Sequence, residues 1–181
     1  MKRAFVIATL FVLACAFNGA MNYIPTDESS SVKFKIKNLG IIVDGSLKGL
    51  KGAIEFDPAR PDAARFDVTV DANTINTGIR ARDKHIKKEE YFDVAKYSTL
   101  KFTATKIAAS SGANNFIVSG NLTIKNITKA ISFPFTATLQ NNGYLFKGEF
   151  KINRRDYSVG GSSITMSDNL TVFLEIFAKK G

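Results

Sequence analysis

An all-β fold of eight antiparallel strands, with one short charged helix between two of them, is what this 181-residue sequence predicts. Three observations carry that expectation. Apolar and polar residues alternate with period two through most of the chain, and turn-forming residues separate the alternating segments. No glycine-rich loop leads from a strand into a helix, as a nucleotide-binding α/β fold requires.

The first strand holds Val32, Phe34 and Ile36 against Lys33, Lys35 and Lys37, one apolar face and one cationic. A second runs from about Val43 to Phe56, with Gly45, Gly49 and Gly52 permitting bends or bulges. Phe66, Val68 and Val70 mark the third strand, and Leu100, Phe102 and Ala104 the fourth. Phe116, Val118, Gly120, Leu122 and Ile124 form a longer stripe. Ile131, Phe133 and Phe135 follow, with Pro134 predicting an edge, a bulge or a break. Tyr144, Phe146, Gly148, Phe150 and Ile152 give the seventh strand, and Leu170, Val172, Leu174 and Ile176 the eighth. Between them lie Asn38-Leu39-Gly40, Asp57-Pro58, Ser111-Gly112-Ala113-Asn114 and Asn141-Asn142-Gly143, where chain reversal is inexpensive. Strands at such spacing close as an antiparallel sandwich or barrel. Arg82 to Lys96 breaks the alternation and predicts the helix, with Asp83 as its cap. Ile79, Ile86 and Phe92 would dock it over one end of the sheet as a candidate lid.

The start of the chain is an address. Met1-Lys2-Arg3 precedes an apolar stretch, Ala4 to Ala14, interrupted only by Thr9 and too short to cross a bilayer as a lasting helix. Residues 1–20 are therefore assigned to an export signal and short tail, and 21–181 to the barrel domain. Two processing routes fit. Ala14-Cys15-Ala16 satisfies a small-x-small cleavage rule, while Val12-Leu13-Ala14-Cys15 resembles a bacterial lipobox that would lipidate Cys15 and attach the protein to a membrane. Either places the mature part outside the cytoplasm, periplasmic or secreted. The Asn-x-Thr sequons at Asn121, Asn126 and Asn169 are read as chance.

Composition narrows the chemistry. With 45% hydrophobic and 23% charged residues the chain can build a core, which excludes wholesale disorder. One Cys and one His cannot form a Cys/His zinc site or an iron–sulfur cluster. Losing Lys2 and Arg3 lowers the net charge of +9 by two, leaving a basic domain. Its lysines are spread over the polar faces of strands, the pattern of a solvated outer surface, and no arginine run interleaved with aromatics suggests a nucleic-acid partner. His85 is the lone imidazole, in a charged segment with Asp83 and Asp93, and reads as a surface or helix-docking residue before a catalytic one. Glu89, Glu90 and Asp93 lie among lysines and read as surface ion pairs.

The chain has 15 Phe and no Trp. Phe5 and Phe11 belong to the signal, while Phe34, Phe56, Phe66, Phe102, Phe116, Phe133, Phe135, Phe146 and Phe150 fall on apolar strand faces. An eight-stranded barrel is just wide enough either to be filled by such side chains or to hold one ligand, and composition leaves both open.

The run from Asn73 to Ile86 contains Thr77 and Arg82-Asp83-Lys84-His85-Ile86, followed by Tyr91-Phe92-Asp93-Val94 and Tyr97-Ser98-Thr99-Leu100-Lys101-Phe102. These blocks resemble the YceI-like polyisoprenoid-binding family, whose pattern is Thr, a short gap, Arg-Asp-x-His-Leu, Phe-Phe-Asp-Val, then Tyr-Pro-x-Ile-x-Phe. Gly52 to Pro58, Gly120 to Lys129 and Ile152 to Tyr157 agree in order, with mild departures at Ile86, Tyr91, Ser98 and Tyr157 and no His before Ser31. The likeness spans roughly Tyr23 to Lys179. It implies an exported, lipocalin-like, eight-stranded antiparallel barrel, non-enzymatic and without a cofactor. Its apolar tunnel would take a long isoprenoid, such as a polyprenyl phosphate or a quinone-like lipid, or a similar amphiphile. The nine inward phenylalanines would then line the tunnel. Arg80, Arg82, Lys84 and His85 are rim candidates for the head group, as charge-assisted donors. The competing reading has Arg82, Asp83, His85 and Asp93 holding the helix onto the barrel by mutual hydrogen bonds. A filled-core envelope module, acting through a protein partner on its Lys-rich face or through lipidated Cys15, is the alternative function.

Overall fold

The computed structural model describes residues 21–181, so the export signal and Cys15 lie outside the described residues. Nine strands form a single antiparallel sheet: β1 (Met21–Pro25), β2 (Ser31–Asn38), β3 (Ile41–Phe56), β4 (Arg65–Asn76), β5 (Thr99–Ala109), β6 (Asn115–Ile124), β7 (Ile127–Gln140), β8 (Gly143–Asn153) and β9 (Met166–Lys180). From β2 to β9 each strand pairs with the next, and β9 pairs back onto β2. Eight strands thus close an up-and-down barrel, the architecture the family resemblance implies and one of the two that the alternation left open. Closure leaves no long free edge to template aggregation.

The strand missed by the sequence reading, β1, is a continuation of β2. It pairs with β3 through Tyr23 and Ile54, and with β9 through Tyr23 and Lys180, occupying the same lane between them. Residues 26–30 interrupt that lane, and side chains close the gap. The Asp27 carboxylate accepts from the backbone N–H of Gly49 (2.9 Å) and Leu50 (3.0 Å), while Phe177 N–H donates to Ser30 Oγ (2.8 Å). Five residues ending in proline carry too little alternation to announce a strand.

The helix is shorter than predicted. The segment α1 spans only Arg80–Ile86, and residues 87–97 continue as tight turns. Asp83 is not its cap: Ile79 holds that position, and Asp83 N–H makes the first helical bond to the Ile79 carbonyl (2.9 Å). The Asp83 carboxylate instead accepts from the backbone N–H (2.8 Å) and hydroxyl of Thr77. The chain then folds back, with Phe92 N–H donating to the Ile86 carbonyl (3.1 Å), which brings Phe92 over the barrel. Ile86 and Phe92 dock as expected, whereas Ile79 is 53% exposed and does not.

Pro134 sits opposite Ile117 of β6, but the β7–β8 ladder begins only at Phe135 and Gly148. Beyond that point the rings of Phe133 and Phe150 stack across the seam at 4.6 Å.

The two ends of the barrel differ. At one end lie the β3–β4, β5–β6 and β7–β8 connections, and the interior there is solid aromatic packing. Phe56 sits 5.3 Å, centroid to centroid, from each of Phe116, Tyr144 and Phe146, mostly edge to face, the arrangement ring quadrupoles favour. At the other end lie the β2–β3 turn, α1, the β6–β7 turn and the 154–165 connection, and there the interior opens.

Candidate functional site

Between the aromatic plug and α1 the barrel encloses a cavity of about 260 Å³ lined almost wholly by apolar side chains. Along β9 the lining runs from Met166 to Ile176, roughly 33 Å of strand at ~3.3 Å per residue. With a barrel tilt of about 40° this is a channel roughly 25 Å deep.

Three inward glycines explain why the lumen is not filled. The ring of Phe34 covers Gly45 on the adjacent strand, leaving no room for a Cβ. A Cβ on Gly120 would lie 2.5 Å from the Phe102 ring, and one on Gly148 would lie 3.1 Å from that of Phe133. Each ring takes the space beside the wall where its neighbour has no side chain. Phenylalanine is thereby spent on surfacing the channel rather than crossing it.

The nine predicted lining residues accordingly divide. Phe34, Phe102, Phe133 and Phe150 form the walls, and Phe66, Phe135 and Phe146 form the floor. Phe56 and Phe116 do not reach the cavity. They are 1% and 4% exposed within the plug, at strand ends where the closed end of the barrel packs solid.

The four rim candidates also separate. On α1, Arg82 and Ile86 face the cavity. Arg80 and Lys84, with Lys87, face outward onto a shallow polar depression beside Thr74 and Asn76. His85 is outside the cavity lining, its Nε2 3.4 Å from Glu90 Oε1 and its ring edge-on to Tyr91. Helical spacing of four residues makes this split and could have been applied to the sequence. Arg82 is anchored by Thr77: Nε donates to Thr77 Oγ1 (2.7 Å) and Nη2 to the Thr77 carbonyl (2.6 Å). A guanidinium has five N–H groups, so three remain for a ligand at the mouth. Latching and head-group contact are therefore compatible in one residue. The mutual network expected of Arg82, Asp83, His85 and Asp93 is replaced by one centred on Thr77, which Arg82 and Asp83 share.

Arg154 was missed. It is 3% exposed, lines the mouth, and ties the 154–165 connection to the start of β9. Nε donates to the Ser167 carbonyl (3.1 Å), Nη1 to the carbonyls of Val159 and Gly161 (2.9 Å each), and Nη2 to Asp168 Oδ1 (2.7 Å). With four of five N–H groups engaged, its role is to hold this loop. Tyr157 and Val159 from the loop pack with Leu122 and Ile124, against Tyr91 and Phe92, to wall one side of the mouth. Burial, reinforced by Asp156, pushes the Tyr157 hydroxyl up to about 12. Nothing in the alternation marks residues 154–165, because this connection is not a strand.

Among the described residues no cluster of His, Cys, Asp or Glu could hold a metal ion, and no helix is long and apolar enough to cross a membrane. What the site offers is a dry, elongated lumen with one partly uncommitted guanidinium at its mouth. That suits an apolar chain bearing a polar or anionic head.

Comparison with known proteins agrees with this geometry. The family model described as YceI-like domain matches residues 23–178. A UPF0312 protein of Pseudomonas savastanoi is 33% identical over 141 residues, covering 74% of this chain and 73% of that protein. The crystal structure of Burkholderia cenocepacia BcnA superposes with a TM-score of 0.78 at 23% identity, over 84% of this chain and 98% of its own. A polyisoprenoid-binding domain from Saccharophagus degradans, implicated in plant cell wall breakdown, gives 0.71 at 17% identity, over 90% and 99%. At these identities the two structures establish a shared fold.

Proposed function

The chain belongs to the YceI-like domain family, and on that premise we propose that it binds, carries or stores a long isoprenoid or similar amphiphilic lipid without transforming it. The carrying observation is the apolar lumen itself, with phenylalanine rings occupying the side-chain space over Gly45, Gly120 and Gly148. The fold shared with a polyisoprenoid-binding domain supports the ligand class. The tail lies along Phe34, Phe102, Phe133 and Phe150, and the head, a phosphate or other acceptor, meets Arg82 at the mouth. The signal-like residues 1–20 support action in the bacterial envelope, as a periplasmic or secreted protein or one anchored through Cys15. The open lumen weighs against the alternative of a filled-core module working only through its outer face.

The test is native mass spectrometry and organic extraction of protein purified from its own host. A bound isoprenoid or related lipid is expected, and its amount should fall in Phe102→Trp, which enlarges a wall ring. Repeatedly empty protein, with Phe102→Trp indistinguishable from wild type, overturns the proposal.

A further inference from the structure

At the mouth, the tips of the surrounding connections carry apolar side chains that none of the described residues covers. Leu39 is 72% exposed and Ile41 69%, both at the β2–β3 turn, and Ile164 in the 154–165 connection is fully exposed. The Leu39 N–H donates to the Thr165 carbonyl (2.9 Å), which sets the turn beside Ile164. Ile41 lies opposite Asn38, two positions beyond the cavity-lining pair Ile36 and Val43. The inward apolar face therefore runs past the barrel wall into solvent.

Leu39 is also conformationally out of place. It adopts φ 52 and Gly40 φ 80, left-handed values that favour Asn or Gly and disfavour a bulky side chain. Among the other described non-glycine residues with positive φ, Ser29, Asp93, Asn114, Asn126, Asn141 and Ser158 are small and polar and Lys125 carries a charge, so Leu39 is the one apolar side chain in that conformation. At Leu39 neither burial nor backbone accounts for leucine. Cations stand at the same end of the barrel: Lys37 is exposed and pairs across β2–β3 with Ile42, and Arg80, Lys84 and Lys88 are exposed along the α1 segment, ahead of the exposed Glu89 and Glu90.

We propose that this rim docks on an anionic bilayer, Leu39, Ile41 and Ile164 entering the headgroup–acyl boundary while the Lys and Arg of the same end meet anionic lipid. Apolar tips accompanied by cations are the chemistry of interfacial insertion. Docking would present the lumen directly to the lipid phase, so an apolar chain could enter without crossing water. The purpose rests on the lipid-binding reading above, but attachment itself does not require a ligand in the lumen.

Flotation of the purified protein with phosphatidylcholine vesicles, with and without phosphatidylglycerol, tests this. Wild type should float with the phosphatidylglycerol vesicles and be released by salt. Leu39→Asn should weaken that association by about tenfold, the effect of withdrawing one large aliphatic side chain, while its thermal midpoint holds or rises because Asn suits the turn. Leu139→Asn, an exposed leucine at the opposite end of the barrel, should float like wild type. Docking is overturned if Leu39→Asn and the double variant Ile41→Thr/Ile42→Thr float undiminished, or if Leu139→Asn is as impaired as Leu39→Asn. It is equally overturned if the tips instead drive a Leu39-dependent dimer without vesicle binding. A host lipid recovered from protein that never floats would remove docking and leave the cavity reading standing. Flotation by protein that never yields a lipid would do the reverse.

Discussion

The ring of Phe34 lies over Gly45 of the neighbouring strand, filling the place a Cβ would take. Gly45 is buried and takes no left-handed backbone angle, so alanine conflicts there with the ring alone. Gly45→Ala should swing Phe34 into the lumen, costing about 1–3 kcal/mol of stability and reducing bound lipid. Adding Phe34→Ala should restore the room and the lipid. Melting curves and extracted lipid measure the two effects, and equal lipid in all three proteins would show that the ring does not gate the lumen.

Arg154→Met should be among the most damaging single substitutions. Methionine fills comparable space but leaves the carbonyls of Val159, Gly161 and Ser167 and the carboxylate of Asp168 without their donor. Asp168 is half-exposed and keeps access to water, so the cost comes mainly from the orphaned carbonyls, about 1–3 kcal/mol for each left unsatisfied. Arg154→Lys should rescue little, since an ammonium cannot reproduce the guanidinium fork. Urea unfolding gives the magnitude, and hydrogen exchange should show fastest loosening over residues 158–168.

Alkaline pH should weaken the mouth through Tyr157. Its hydroxyl has an ordinary value of 10.0 and is raised to about 12 in the fold by burial and by Asp156. A raised value means the folded state holds the proton more tightly. The associated stability is intact below pH 10 and is lost as pH climbs toward 12, amounting to about 2–3 kcal/mol. Tyr157→Phe should flatten that part of the pH–stability curve. Some slope will remain, because burial also raises Tyr23 and Tyr144. An unchanged curve for Tyr157→Phe would remove Tyr157 from this role.

How much of this was legible depends on what period two can encode. Strands such as Val32–Phe34–Ile36 are visible because one face is buried and the other solvated, but eight such strands with short turns fit a sandwich as well as a barrel, and closure through β9 and β2 is a matter of long-range pairing. The same signal cannot separate Phe56, locked in the plug, from Phe102, on the lumen wall. Both face inward, and only their height in the barrel distinguishes them. It cannot reveal β1, whose place in the sheet depends on Asp27 bridging the gap to Gly49. Nor can it mark Arg154, which lies between strands and whose partners extend up to 14 residues away, to Asp168 at the start of β9. The inward glycines were readable as gaps in apolar stripes, but that a neighbouring ring fills each gap is a matter of three-dimensional register.

The final prediction separates Arg82 as a latch from Arg82 as a head-group donor. Thr77 Oγ1 accepts from Arg82 Nε and donates to Asp83, so Thr77→Val removes both contacts while keeping side-chain shape. The Thr77 carbonyl still holds Arg82 Nη2, and its N–H still reaches Asp83. Losing the hydroxyl should cost about 1–3 kcal/mol, seen as faster amide exchange across α1 with little change in β4 or β5. Its effect on lipid affinity should be the same for a polyprenyl phosphate and for the uncharged polyprenol, because loosening the lid does not discriminate between heads. Arg82→Gln loosens α1 as well but also removes the charge. Affinity for the phosphate should then fall by about a further tenfold relative to the alcohol, as expected for losing one charged hydrogen bond. If Arg82→Gln and Thr77→Val shift both ligands alike, Arg82 is a latch only, and the head group is held elsewhere or left in water.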